Sequence, residues 1–206
     1  MVATCPIAAA QNVRAIATET IALGVPADAT HDLRISVHVF SGSRWAISDI
    51  RAALTASANL LAQCAVASAA SLHELEAPRR FHFYATGVSR ELLHGLPTTK
   101  PAVFFVEDNL NRPAFDAEAI GRANSASRPE LTDTIWIAHG ARDLAVTLAH
   151  ELVHVLSDSG AHSDAPDNLM RAETAPGNVA LSQAQCGSLR TRGEANGLLV
   201  PRVLKP

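Results

Sequence analysis

The sequence predicts an α/β fold in which a mixed, twisted sheet with an exposed edge strand packs on a central helix, with another helix at the C-terminus. Strand-like and helix-like patterns alternate along the chain, as this class requires. Residues 101–106 are almost uninterruptedly apolar, which is typical of a strand buried on both faces. Residues 144–156 carry so few polar side chains that a helix there has to be central.

The first part of the chain begins with a segment that lacks a clear pattern. Residues 1–32 have weak periodicity and are interpreted as an N-terminal extension, which leaves residues 33–206 for the folded domain. Apolar and polar side chains then alternate, as in a strand with one buried face, and Ser48 is placed to cap a helix. The elements predicted here are a strand at 33–40, a helix at 48–63, a strand at 65–75 and a short helix at 88–94.

The second part of the chain contains the buried strand, a weaker strand and two helices. Residues 114–123 suit an edge strand because their pattern is less apolar. Ser182 and Gln185 have the spacing of a capping box, which predicts the start of the last helix. The elements predicted here are strands at 101–106, 114–123 and 134–138, a helix at 143–157 and a helix at 182–193.

Composition excludes several classes of protein. The 206 residues are 48% apolar and 18% charged, which supports a packed core and argues against disorder. A net charge of −3 offers no electrostatic argument for binding nucleic acid or an anionic membrane. The longest uncharged stretch, residues 52–72, is interrupted by polar side chains, so no membrane-spanning helix is expected.

The three cysteines leave the redox compartment open. Cys5, Cys64 and Cys186 are either small buried residues in a reducing compartment, or two of them form a bridge in a secreted protein, for which Cys64 and Cys186 are the candidate pair. The chain begins without a recognisable secretory signal. The expectation is nevertheless a secreted or periplasmic protein.

The strongest chemical signal is the segment His150-Glu151-Leu152-Val153-His154. Two histidines four residues apart lie on one face of a helix, so both imidazoles can reach one metal ion. Glu151 is then a candidate general base instead of a ligand. A third ligand has to come from elsewhere, and His162 is the nearest good candidate.

Three acidic side chains compete with His162 for the third position. Asp158 would extend the helical row and place three ligands in a line, which suits a tetrahedral metal poorly. Asp164 lies close to His162 in sequence. Glu173 lies at a distance from His154 that some zinc proteases tolerate for their third ligand. Met170 follows a turn-forming Pro-Asp-Asn sequence and is either an ordinary core methionine or part of a functional turn.

These residues resemble the metzincin clan of zinc metalloproteases, and most closely a divergent, bacterial, matrixin-like member. The positions of His150, Glu151, His154, His162 and Met170 match the clan's extended histidine motif and its methionine turn. The third histidine comes two residues later than the clan's spacing, so Gly160 is expected to make the left-handed turn that brings His162 back to the metal. The resemblance implies a metzincin-like fold, bound Zn²⁺, and a peptide substrate paired with the edge strand at 114–123. It also implies that Met170 forms an apolar floor under the histidines and does not bind the metal.

The resulting hypothesis is a zinc-dependent endopeptidase. His150, His154 and His162 would hold the metal, and Glu151 would accept the proton of the attacking water and pass it to the leaving amine. The expected partner is a peptide or protein substrate, with no nucleic acid and no membrane, and the oligomeric state is not indicated. The alternatives are a zinc-containing binding module or inactive protease homologue, and a zinc hydrolase that acts on other bonds or on very short peptides.

Overall fold

A computed structural model describes residues 13–202 of the chain. The described residues form a mixed seven-stranded sheet and a separate two-stranded sheet, together with four α-helices. In chain order the elements are β1 Arg14–Ala22, β2 His31–Phe40, α1 Ile47–Ala62, β3 Val66–Glu76, β4 Phe83–Tyr84, α2 Thr86–Gly95, β5 Ala102–Val106, β6 Asp108–Asn109, β7 Ala117–Ile120, β8 Thr134–Ala138, α3 Leu144–Ser157, α4 Gln183–Ala195 and β9 Leu199–Pro201.

The large sheet has the strand order β1-β3-β2-β5-β8-β7, with β9 paired to the start of β2. Strands β2, β3, β5 and β8 are parallel, whereas β1 and β7 run antiparallel to their neighbours. The predicted mixed sheet is therefore confirmed. The predicted edge strand corresponds to β7, which is shorter than the range 114–123.

Alternating side chains divide the core into two layers. On β2, Ile35 and Val37 join a front core that also contains buried residues of α1, α3 and α4. Phe40, from the same strand, joins a back core that includes Leu92 of α2. The front layer thus has three helices and the back layer one, which places α3 centrally beneath the sheet, as its apolar sequence predicts.

One strand lies in the segment that was interpreted as an N-terminal extension. Strand β1 pairs with β3 along most of its length. Its side chains are mostly exposed, including Ile16 and Thr18, so a one-sided apolar alternation is missing from its sequence. The boundary at residue 33 stays a prediction, and Cys5 lies outside the described residues.

Two local predictions at helix ends have different outcomes. The capping box at Ser182 and Gln185 is formed, as expected. The cap of α1 is Ala46 and not Ser48, which lies inside the helix with its hydroxyl directed at Asp49. Ser48 has the side chain of an N-cap residue, but a helix can begin without a side-chain cap when its packing stabilises it.

A disulfide joins Cys64, just after α1, to Cys186 in the first turn of α4. Of the two interpretations that the sequence left open for these cysteines, the bridge is therefore confirmed. It connects two helices of the front layer across 122 residues of sequence. None of the helices formed by the described residues is both long and apolar enough to cross a membrane.

Candidate metal centre

The candidate site is built on α3, the most deeply buried helix of the front layer. Its interior residues pack between α1 and α4, while one face turns toward β7. His150 and His154 lie on that face, one helical turn apart, and His150 is buried while His154 is partly buried. The helix thus presents two imidazoles on one side, the first of them buried and the second half-buried.

Three histidine rings meet beside this helix. The ligand atoms of His150, His154 and His162 all lie within 4.8 Å of one another. The Nε2 atoms of His150 and His154 are 2.9 Å apart, close to the roughly 3.3 Å expected for two nitrogens on one tetrahedral zinc ion. In the part of the chain that the structure describes, this is the only group of three such side chains placed to hold a metal ion.

Backbone carbonyls determine which nitrogens are free. His150 Nδ1 lies 2.8 Å from the carbonyl oxygen of Leu169, and His154 Nδ1 lies 2.6 Å from that of Ser159. A carbonyl can only accept, so each Nδ1 carries the proton and donates it. Each Nε2 therefore keeps its lone pair for a metal. This arrangement of ring, outer partner and free nitrogen is typical of zinc-binding histidines.

The protonation states also suit a metal. Burial lowers the pKa of His150, and it lowers the pKa of His154 to about 4. Hydrogen bonds to the Leu169 and Ser159 carbonyls oppose this shift only in part. Both rings are therefore neutral at pH 7, which is the form that binds metal. Together with His162, these two rings form a set of three imidazoles with room for a further ligand, which fits catalytic zinc.

The turn that brings His162 to the site differs from the prediction. Asp158, and not Gly160, has the left-handed conformation, with φ 48° and ψ 47°. The turn closes with hydrogen bonds from Asp158 N to Val155 O and from Ser159 N to His154 O. The Asp158 carboxylate also accepts the backbone N–H of Ala123 at 3.0 Å, which helps an aspartate to hold this conformation.

The other acidic candidates for a ligand lie apart from the histidine group. The Asp158 carboxylate accepts the backbone N–H of Ala123. Neither Asp164 nor Glu173 belongs to the histidine group. Met170 is buried in the front core, 3% exposed. This burial is compatible with both interpretations of Met170, and its role as a floor under the histidines stays a prediction.

Glu151 lies beside the histidines with its carboxylate turned to the edge strand. Burial, together with the nearby charge of Glu118, raises the pKa of Glu151 to about 7, while a hydrogen bond from the backbone N–H of Ala119 works in the opposite direction. The side chain lines the same cleft as the three rings. It is therefore positioned to exchange a proton with a molecule bound next to the histidines.

The cleft has a volume of about 690 Å³ and runs between β7 and α3. At the start of α3 it is bordered by Phe115, Arg142 and Glu173, and at the end of α3 by Asp158 and Ser159. Phe115 is 58% exposed, an unusual state for an aromatic side chain. The cleft thus has apolar and charged side chains beside the start of α3 and the Asp158 turn beside its end.

Sequence reasoning missed the groups that orient the rings. The carbonyls of Leu169 and Ser159 leave no side-chain signature, because any residue offers a carbonyl. Asn168 and Gln185, which hold the Leu169 segment, are ordinary polar residues in sequence and become related only when α4 folds back on the loop.

The sequence matches no protein-family model, and no curated protein matches it significantly. Solved structures do resemble it. Archaemetzincin from Methanopyrus kandleri aligns with a TM-score of 0.54 and 11% identity, over 79% of this chain and 96% of that one. The fold is metzincin-like. The predicted fold class is thereby confirmed, whereas the matrixin-like subtype is not.

Metalloproteinase-II from Bacteroides fragilis has the same metzincin-like fold, with a TM-score of 0.57 and 15% identity. The alignment covers 84% of this chain but only 57% of that protein, so the present chain spans little more than half its length. At these identities the likeness establishes the fold alone. The chemistry has to be argued from the residues of this chain.

Proposed function

We propose that this protein is a zinc-dependent endopeptidase. The observation that carries the proposal is the convergence of three imidazoles, two with a free Nε2, next to a glutamate in an open cleft. A purely structural zinc site usually closes its fourth position with a protein ligand. Here the described residues offer three ligands and a cleft, which favours a catalytic site.

In this proposal His150, His154 and His162 hold the zinc ion. Bound zinc supplies Lewis-acid chemistry, because it polarises a carbonyl oxygen and makes water a stronger acid. Glu151 accepts a proton from the attacking water at its carboxylate and returns it to the amine that leaves. The hydrogen bond from the Ala119 N–H favours the ionised form of Glu151, which is the form that can accept a proton.

The substrate is proposed to bind as an added strand along β7. Asp116 and Ile120 direct their carbonyls to β8, where they accept the N–H groups of Ala138 and Asp133. Successive residues of a strand direct their backbone groups to opposite sides. Ala117, which lies between these two residues, therefore directs its N–H and carbonyl away from β8, toward the cleft. An extended peptide can pair with the backbone groups of Ala117 and with the carbonyl of Ala119, whose N–H serves Glu151, and the small alanine side chains leave room for it.

A secreted or periplasmic location is part of the proposal. The Cys64–Cys186 bridge supports it, because disulfides persist in oxidising compartments and are rare in reducing ones.

The direct test replaces Glu151 by glutamine, which keeps the size of the side chain and removes its basicity. We expect Glu151→Gln to bind one zinc ion per chain like the wild type and to lose hydrolysis of an unstructured protein substrate by about 10²- to 10⁴-fold. Glu74→Gln, on β3 away from the cleft, is the matched control and should cleave at the wild-type rate.

Hydrolysis retained by Glu151→Gln would contradict the proposed mechanism. A wild-type protein that binds one zinc ion and cleaves neither proteins nor peptides would instead support the zinc-containing binding module. Cleavage confined to very short peptides would indicate an exopeptidase-like hydrolase.

A further inference from the structure

The loop Asn168–Met170 contacts two of the three segments that carry the histidines. The Leu169 carbonyl accepts the Nδ1–H of His150 at 2.8 Å. The Met170 carbonyl accepts the backbone N–H of Ser163, the residue after His162, at 2.7 Å. Two successive carbonyls of one loop therefore set the orientation of His150 and the position of the His162 segment.

A pair of side-chain amides fixes this loop to α4. Asn168 Nδ2 donates to Gln185 Oε1, and Gln185 Nε2 donates to Asn168 Oδ1, both at 3.0 Å. Asn168 Oδ1 also accepts the backbone N–H of Met170 at 2.9 Å, inside the loop itself. Asn168 is 6% exposed, so few water molecules can replace these bonds if the partner is lost.

Helix α4 is in turn held at this point by α1. The Cys64–Cys186 bridge joins the residue after Gln185 to the end of α1. The Gln63 side chain adds hydrogen bonds to the Val179 carbonyl at 2.9 Å and from the Leu181 N–H at 2.7 Å. The amide pair thus connects the loop to a rigid part of the front layer instead of to a mobile surface segment.

We propose that the Asn168–Gln185 amide pair is a positioning device for the metal centre, which fixes the Leu169 carbonyl and through it the ring of His150. The inference rests on the proposed zinc site. Neither residue touches the metal, and both act through the loop. Removing one amide leaves the other with unpaired buried groups and lets the loop shift, so the free nitrogen of His150 no longer has a single orientation.

The test separates this role from the second role of Gln185, the capping box of α4. Gln185→Ala removes both the amide pair and part of the cap. Ser182→Ala removes the capping hydroxyl and leaves the amide pair, and Gln183→Ala alters an exposed glutamine in the same turn. Zinc affinity is measured by competition with a chromophoric chelator, and thermal unfolding is measured on the metal-free proteins.

We expect zinc affinity to fall about tenfold in Gln185→Ala, within the range known for outer partners of metal ligands. Ser182→Ala and Gln183→Ala should stay within about twofold of the wild type, even where Ser182→Ala lowers the unfolding temperature. Equal zinc affinities for Gln185→Ala and Ser182→Ala would overturn the proposal.

Two further measurements keep the test decisive. If Gln185→Ala folds poorly, Gln185→Met is used, because it keeps the length of the side chain in the helix and loses both amide groups without adding a charge; an affinity equal to that of the wild type would overturn the proposal. In addition, the Nδ1–H proton of His150 is followed by NMR in the metal-free proteins. It should be protected from exchange in the wild type and Ser182→Ala, and unprotected in Gln185→Ala.

The NMR experiment needs no zinc, so it distinguishes two failures. A wild type that binds no zinc would contradict the proposed function, while the exchange of the His150 proton would still decide whether the amide pair orients the ring. Protection that persists in Gln185→Ala would overturn the positioning role even in a protein that binds zinc tightly.

Discussion

Two groups of histidines lie on opposite sides of the sheet and differ in where their ring nitrogens are directed. On the back side, His38 is 2% exposed and is stacked between His73 and Phe104, with ring centroids 5.0 and 4.6 Å apart. Its Nε2 lies 3.0 Å from the hydroxyl of Ser36 and 2.7 Å from that of Thr98. The rings lie face to face, so their nitrogens do not converge.

On the front side, the rings of His150 and His154 meet edge to face, at an interplanar angle of 80°. Carbonyls occupy their Nδ1 atoms, and their Nε2 atoms face each other. Each group contains one buried and one half-buried ring, and burial lowers the pKa of His38 as it lowers that of His154. Burial of histidines is therefore common to both groups; what sets the candidate metal site apart is the outer partners that direct its free nitrogens to one point.

The largest expected effect comes from removing one histidine from each group. His154→Ala should reduce zinc affinity by more than the roughly 100-fold that losing an outer partner can cause, because it removes a direct ligand. His73→Ala, from the back-side stack, should bind zinc like the wild type. Isothermal titration with zinc measures both. Equal losses in the two variants would mean that the zinc site lies elsewhere.

An effect of intermediate size is expected on the stability of the protein when acid titrates the back-side His38. Burial, with contributions from the charges of His73 and Lys100, lowers the pKa of His38 to about 3. The unfolded chain, with a histidine pKa near 6.5, binds this proton first. The contribution of His38 to stability is therefore present above pH 6.5 and is lost progressively as the pH falls toward 3.

His38→Phe keeps a flat ring in the stack and removes this titration. Between pH 7 and pH 4.5 the wild type should lose about 2–3 kcal/mol of unfolding free energy that the variant does not lose. Urea unfolding of both metal-free proteins at several pH values measures the difference in slope. Because the front-side histidines are present in both proteins, their titration cancels. If the wild type and His38→Phe lost stability in parallel as the pH falls, the low pKa of His38 could not be the cause of the loss.

The smallest effect is expected in the cleft, which is lined by the front-side histidines and not by the back-side ones. Ala117→Pro removes an N–H that faces the cleft. It breaks no hydrogen bond to β8, and edge strands tolerate proline. We expect KM for a peptide substrate to rise about threefold to tenfold with kcat nearly unchanged, because the substrate loses one hydrogen bond to the strand. Ala117→Ser keeps the N–H and serves as the control. A wild-type KM in Ala117→Pro would argue against pairing along β7.

Much of the front layer could be predicted from the sequence, because its elements carry strong local patterns. The apolar run of β5, the alternation of β2 and the apolar α3 each report burial directly. Strand β1 was missed because an exposed edge strand has no apolar face to reveal it. The choice between a free and a bridged Cys64 could not be made either, since it depends on how two distant helices approach.

The histidine group could be predicted in its residues but not in its geometry. The spacing of His150 and His154 follows from the helical period, and the structure also brings His162 to them. The turn at Asp158 was assigned to Gly160 because glycine is the usual left-handed residue; the side-chain bond from Asp158 to Ala123 that favours the observed conformation is a tertiary contact. The outer partners of the rings are backbone carbonyls, which no residue type identifies.

The most direct test of the account is anomalous X-ray diffraction at the zinc absorption edge from crystals of the zinc-loaded protein. The account predicts one strong anomalous peak per chain, about 2.0–2.1 Å from the Nε2 atoms of His150 and His154 and bonded also to His162. A peak at another site, or one bonded to Asp158, Asp164 or Glu173 in place of His162, would contradict it.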